Sequence, residues 1–181
     1  MFQEALAQIL SRLKTAQSRG LLSGYTLIGG FAVSAWGVPR ATQDFDFAIA
    51  IDQADPQVLA TFIGGRYQAG EPDDPLRGVV TVSIEVVPEP ISLQLIFLPP
   101  PLTELAFGHI ETLSVLEYSV PVVSWQVLII LKLYAGGPHD LLDVHRILKV
   151  RRPQAKDLQD IESMAEVAGV LSEWKSVQKK M

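Results

Sequence analysis

From Phe2 to Ser18 the apolar residues recur on one helical face, at Phe2, Ala5, Leu6, Ile9, Leu10 and Leu13, with polar side chains opposite. That spacing predicts an amphipathic helix, and Gly20 supplies its stop. Tyr25 to Ile28 reads as a short buried strand, which Gly29-Gly30 turns into a helix over about 31–36, ended by Pro39. The run from Asp44 to Ile51, DFDFAIAI, alternates polar and apolar at its start and predicts a second strand. Pro56 to Phe62 begins a short helix with Asp55 as its N-cap. The segment 64–78, with four glycines, two prolines and a group of acids, reads as a surface loop. Two β-rich runs follow, 79–87 and 91–98, and the Pro-Glu-Pro between them suggests a hairpin without a tight primed turn. Pro99 to Pro101 reads as a rigid linker. Beyond it the pattern predicts a helical turn at 103–108, short strand pieces over 109–123 and an apolar helix 125–135 capped by Ser124. A helix at about 139–150 and a last one from 154 to 168 or beyond complete the chain.

Composition bounds what these elements build. At 181 residues, 48% apolar and 19% charged, the chain can bury a real core as one domain or as a core with a helical appendage. The expected class is α/β, with a core over residues 1–100 and a helical region over 101–181 packed on it. The absence of cysteine excludes disulfides, thiolate metal sites and cysteine nucleophiles. His109, His139 and His145 are too scattered for a histidine metal site.

A net charge of -5 and a pI near 5.2 argue against a dedicated nucleic-acid binder. Nucleic acid remains a transient substrate to consider, approached through the cationic segment 145–156. That segment reads first as a solvated helix end and turn. The N-terminus lacks the basic start and apolar stretch of a signal peptide. The uncharged stretch Leu21–Pro39 is broken by Gly24, Gly29, Gly30 and Gly37, so it reads as buried core rather than a membrane span. The expected setting is the cytoplasm, without membrane contact.

Chemistry concentrates in residues 28–47. A buried strand that ends in two glycines and passes at once into a helix lets a ligand approach backbone closely and meet unpaired N–H groups. Such a turn can hold a phosphate, or it can be a plain strand-to-helix turn. Asp44 and Asp46, two apart on a strand, share a face about 6.5–7 Å apart along the chain. With Phe45 and Phe47 facing the core, the two carboxylates repel unless a cation sits between them, and such a pair suits Mg²⁺. The bland alternative is a solvated acidic strand edge.

The order Gly29-Gly30, then Asp44-x-Asp46, resembles the signature of the nucleotidyltransferase superfamily. With Trp36-Gly37, Arg40 and Thr42 between, it resembles the branch holding the AbiEii-type toxins and small bacterial nucleotidyltransferase-like proteins. Residues 120–144 are similar to the helical region of that branch, at Lys132, Asp140 and Asp143. The resemblance implies a nucleotidyltransferase-type mixed sheet flanked by helices, and transfer of a nucleoside monophosphate from an NTP with Mg²⁺ held by Asp44 and Asp46. The phosphates would sit on Gly29-Gly30, with Lys132, Asp140 and Asp143 around the nucleotide. The acceptor would be a hydroxyl on RNA (tRNA) or protein, with an antitoxin-like partner if the chain is a toxin–antitoxin component. Lys132 also reads as a cap on the last turn of an apolar helix, and Asp140 as an N-terminal helix charge. Arg40 and Thr42 read as braces for the loop before the strand.

One position departs from the resemblance. The superfamily places a third carboxylate on a later strand, where this chain has Gln94, which offers a carbonyl oxygen without charge. Glu85 is a substitute if strand register brings it close. Two functional classes follow: a Mg²⁺-dependent nucleotidyltransferase, or a catalytically impaired nucleotide-binding or protein-interaction module of the same fold.

Overall fold

The DFDFAIA run forms β2 (Asp44–Ala50), the fourth strand of a seven-stranded sheet, in a computed structural model that describes residues 1–180. Its neighbours are β1 (Gly24–Ile28), antiparallel, and β5 (Ile91–Phe97), parallel. Lying centrally, β2 must bury the side chains between its carboxylates, and Phe45 and Phe47 are both fully buried. Phe45 stacks on Phe31 at 4.1 Å between centroids, and Phe2 meets both rings edge-on at 5.5 and 6.2 Å. These aromatic contacts tie α1 (Phe2–Ser18) and α2 (Gly29–Ala35) to the middle of the sheet.

The full order is β3-β4-β5-β2-β1-β7-β6. On one side, β4 (Gly78–Ile84) pairs antiparallel with β5, and β3 (Arg66–Ala69) forms the outer edge. On the other, β7 (Tyr118–Val123) runs parallel beside β1, with β6 (Ile110–Val115) outside it. The helix α3 (Pro56–Ile63) starts at the Asp55 cap, whose carboxylate accepts the Gln57 N–H at 2.8 Å. The apolar helix α5 (Trp125–Ala135), capped by Ser124, packs against α6 (Pro138–Arg151) and α7 (Ala155–Val167). Mixed strands flanked by helices were the expected class, and that class is what the chain adopts.

Four local expectations are corrected. Residues 66–69 are strand β3 rather than loop, because an edge strand with Arg66 and Gln68 outward shows no apolar alternation. Pro99–Pro101 is the start of helix α4 (Pro100–Gly108), with proline at the first helical position, where no N–H is needed. The strand pieces after it belong to the same sheet as β1, so residue 100 does not divide the sheet. The last helix is two: Gly169, at φ 72°, separates α7 from α8 (Leu171–Gln178).

Trp36 locks the two halves together. Its indole N–H donates to the Val123 carbonyl at 2.9 Å, and the Arg151 guanidinium lies over its ring at 5.0 Å and over Trp125 at 5.8 Å. Among the described residues no helix is long and apolar enough to cross a membrane.

Phe45→Ala should cost about 3–5 kcal/mol by emptying the centre of the aromatic cluster. In a chain this long that is a loss of roughly 10 °C in Tm by thermal unfolding, at about 2–4 °C per kcal/mol. A loss under about 3 °C would show that the stack is not a core element.

Candidate active site

The carboxylates of Asp44 and Asp46 emerge on the face of β2 opposite the buried phenyl rings and line a cleft of about 490 Å³. Register places Ile28 opposite Asp46, so the strand β1 ends beside that carboxylate and turns away through Gly29. Gly29 has φ 68°, and a Cβ there would lie 2.0 Å from Asp46 Oδ2. Both facts require glycine: a side chain would be strained in backbone and would displace the carboxylate. At Gly30 a Cβ would come within 2.7 Å of Thr42 Oγ1 and 3.2 Å of an Arg40 guanidinium nitrogen. The two glycines thus make room for the residues around them as well as for a ligand.

Thr42 donates its hydroxyl to Asp44 Oδ1 at 3.0 Å and so orients that carboxylate. Arg40 pairs with Asp143 Oδ2 at 3.0 Å. Lys132, in the last turn of α5, reaches the same oxygen at 3.1 Å and Asp140 Oδ1 at 2.7 Å. Asp143 is 1% exposed, and its Oδ2 meets two cations by distance without a well-aligned hydrogen bond. A carboxylate that buried is tolerable only with charge partners, and both are present.

This arrangement answers several open readings. Lys132 is an ion-paired wall of the cleft rather than a simple helix cap. Asp140 and Asp143, on one face of α6, grip the two cations. Asp140 lines the cleft as well, whereas Asp143 sits behind it. Arg40 and Thr42 brace, as expected, and both also face the cleft. Gln94 is the cross-strand neighbour of Asp46 on β5 and lines the cleft, so its amide stands beside the carboxylate pair. Glu85 does not approach: it lies beyond the end of β4, exposed, accepting from Ser83 Oγ at 3.0 Å. In the cationic segment, Arg151 is committed to the two tryptophan rings.

The electrostatic consequence falls on Asp46. Burial pushes its carboxyl up from 3.8 to about 6, and the neighbouring Asp44 adds to the rise; Lys132 and Arg40 oppose it but are partly spent on Asp140 and Asp143. Two cations face four carboxylates in this cluster, and among the described residues Asp44 and Asp46 form no direct ion pair. Among the described residues no three acidic or histidine side chains converge on one point. The donor set is therefore two carboxylates with an amide oxygen nearby, which fits Mg²⁺ completing its shell from substrate phosphates and water.

One wall of the cleft was missed from sequence: Pro75 and Leu76 of the β3–β4 loop, Ile96 and Leu98 at the end of β5, and Leu131 and Tyr134 of α5. No periodic signal marks it, since it is assembled from three segments far apart in the chain.

No family model matches the chain, and no curated protein matches it in sequence. Its fold has counterparts among solved structures. The antibiotic-resistance factor ANT(2'')-Ia is 16% identical, with a TM-score of 0.54 over 99% of this chain and 98% of that one. An antigenic nucleotidyltransferase-like protein from Paracoccidioides brasiliensis is 15% identical, with a TM-score of 0.55 over 98% of this chain and 92% of that one. At such identities the likeness is one of fold, and the fold is nucleotidyltransferase-like.

The raised Asp46 carboxyl has a measurable sign. Its folded value lies above its unfolded one, so its contribution to stability is full below about pH 4 and is lost as pH rises through about 6. In chelator, Asp46→Asn should therefore be more stable than the parent at pH 7–8, by ~1–3 kcal/mol, with the difference shrinking toward pH 4. Denaturant unfolding across pH 4–8 checks this; a difference independent of pH would mean that Asp46 is not strained in the metal-free cleft.

Proposed function

We propose that the cleft binds a nucleoside triphosphate with Mg²⁺ and that the chain transfers a nucleoside monophosphate from it to a hydroxyl on RNA or protein, in the cytoplasm. The observation that carries this reading is the carboxylate pair on one face of β2, against Gly29, with the nearby cations already held by other acids. Asp44 and Asp46 would hold the metal, which when bound neutralises charge and polarises the phosphoryl group. Thr42 keeps Asp44 aimed, and the glycine turn borders the cleft, where its backbone N–H groups would meet phosphate oxygens. With only seven residues in α2, close approach matters there more than a helix dipole.

Arg40 and Lys132, anchored from behind by Asp143, present positive charge along one wall. Asp140 occupies Lys132 from the solvent side and is the partner a phosphate would displace. The resemblance of residues 28–47 and 120–144 to AbiEii-type proteins supports extending the proposal to a toxin paired with an antitoxin-like protein.

A second reading rests on Gln94. Beside Asp46, an amide takes no proton and adds no charge for a second cation. On that basis the chain binds nucleotide but turns it over weakly or not at all.

Two measurements test these readings. Mg²⁺ with an NTP at about a hundredfold above Kd should raise Tm by roughly 5–10 °C, since a ligand bound only by the folded state stabilises it by about 2.7 kcal/mol at that excess. The double variant Asp44→Asn with Asp46→Asn should lose the metal-dependent part of that rise; an undiminished shift would remove both acids from the metal site. Gln94→Asp should raise turnover of labelled NTP by ~10²–10⁴-fold if the restored carboxylate acts as base. Robust transfer by the parent, with an aspartate variant no faster, would show that Gln94 is not the missing ligand.

A further inference from the structure

The cleft is lined by a charged cluster and by a larger set of apolar side chains. Asp44, Asp46, Arg40, Lys132 and Asp140 lie toward the glycine turn, and Gln94 lies beside Asp46. The apolar lining includes Leu76, Ile96, Leu98, Leu131, Tyr134 and Ala135. A ligand that fits both is amphipathic, polyanionic at one end and flat and apolar-faced at the other. The single side chain in the apolar half able to hydrogen-bond is Tyr134, and its hydroxyl already donates to the Pro75 carbonyl at 3.0 Å.

Part of the backbone there is committed as well. Pro75 has no N–H, the Arg77 N–H donates to the Phe97 carbonyl at 2.9 Å, and the Gly70 N–H donates to the Arg77 carbonyl at 2.9 Å. Ile96 is paired in the sheet on both sides, and Leu131 lies within the helix α5, while Tyr134 stands in its last turn, where the carbonyl lacks a helical partner. At the rim, Pro75 and Ala135 are exposed, so the polar edge of a ring seated on this wall stays in water.

We infer that this half of the cleft is a nucleobase subsite that buries the faces of any base and reads the edge of none, so that the substrate is selected by its triphosphate. The inference rests on the nucleotide reading above and adds its specificity. The physical basis is an asymmetry: a pocket built to hydrogen-bond a ligand rejects one that lacks the group by ~10⁴–10⁵-fold, whereas an apolar pocket discriminates only ~10–200-fold by size and shape. Without side-chain donors or acceptors aimed at it, the base contributes affinity by burial and contact alone. The Tyr134–Pro75 bond then has a mechanical role, holding the β3–β4 loop and its Leu76 against α5 as one side of the slot.

Calorimetric titration of the full chain in Mg²⁺ tests this with five ligands: ATP, GTP, CTP, UTP and inorganic tripolyphosphate. The four nucleotides should bind within about fivefold of one another, and each about tenfold or more tighter than tripolyphosphate, the increment expected of one buried base face. Leu131→Ala should weaken all four by ~5–10-fold and leave tripolyphosphate unaffected. Tyr134→Phe, which keeps the ring and frees the loop, should weaken them by a smaller factor.

One base preferred by more than about thirtyfold would overturn the inference, because it requires an edge reader. Nucleotides no tighter than tripolyphosphate would overturn it too, while leaving the phosphate and metal half standing. Binding of none of the five would overturn the nucleotide reading and this subsite with it.

Discussion

Two like charges held two residues apart on a central strand are the constraint to which the rest of this molecule answers. Asp44 and Asp46 can occupy one face of β2 only because the intervening phenyl rings are buried on the other, where Phe31 and Phe2 complete an aromatic floor. Phe45 contributes hydrophobic burial and ring contact worth several kcal/mol, and this anchors carboxylates that repel each other above it. Stability on one face of the strand is what permits electrostatic strain on the other.

The same constraint explains the glycine turn and the ion pairs. β1 ends opposite Asp46, and only a residue without a Cβ can turn there without striking that carboxylate. The cations that could relieve Asp46 from the protein side are drawn off by α6: Asp143 takes Arg40 and Lys132 on one oxygen, and Asp140 takes Lys132 again. The cleft is left anionic around Asp44 and Asp46, with Arg40 and Lys132 ion-paired along another wall. That polarity suits a divalent cation arriving with a polyphosphate, and the raised Asp46 carboxyl marks the electrostatic cost of the pair in its absence.

Gln94 qualifies this design. In register with Asp46 and lining the same cleft, it places an uncharged amide beside the carboxylate pair. A binding site needs only the pair and the glycines, whereas efficient proton removal from an acceptor needs a base at the right point. In the proposed reading, nucleotide binding would draw on the whole cleft, whereas turnover would depend on a single side chain.

Much of this was legible in the linear sequence, because it is written in short-range pattern. The period-2 run DFDFAIAI specified a strand with both carboxylates on one face, and Gly29-Gly30 marked the strand-to-helix turn. Asp55 and Ser124 announced helix starts by cap chemistry, and the apolar face of residues 2–13 announced α1. What tertiary structure alone decided depends on distance in the chain. The edge strand β3 has no apolar alternation, since an exposed edge has no buried face to record. The prolines at 99–101 carry the same local meaning in a linker as at a helix start, and only the docking of α4 chooses between them. Glu85 and Gln94 were rival third ligands until strand register put Gln94 beside Asp46 and left Glu85 outside. The pairing of Lys132 with Asp143, and the apolar wall joining Leu76, Ile96 and Leu131, arise from segments that meet only when the sheet closes around them. Local pattern determines which face a side chain takes, and the fold determines what that face meets.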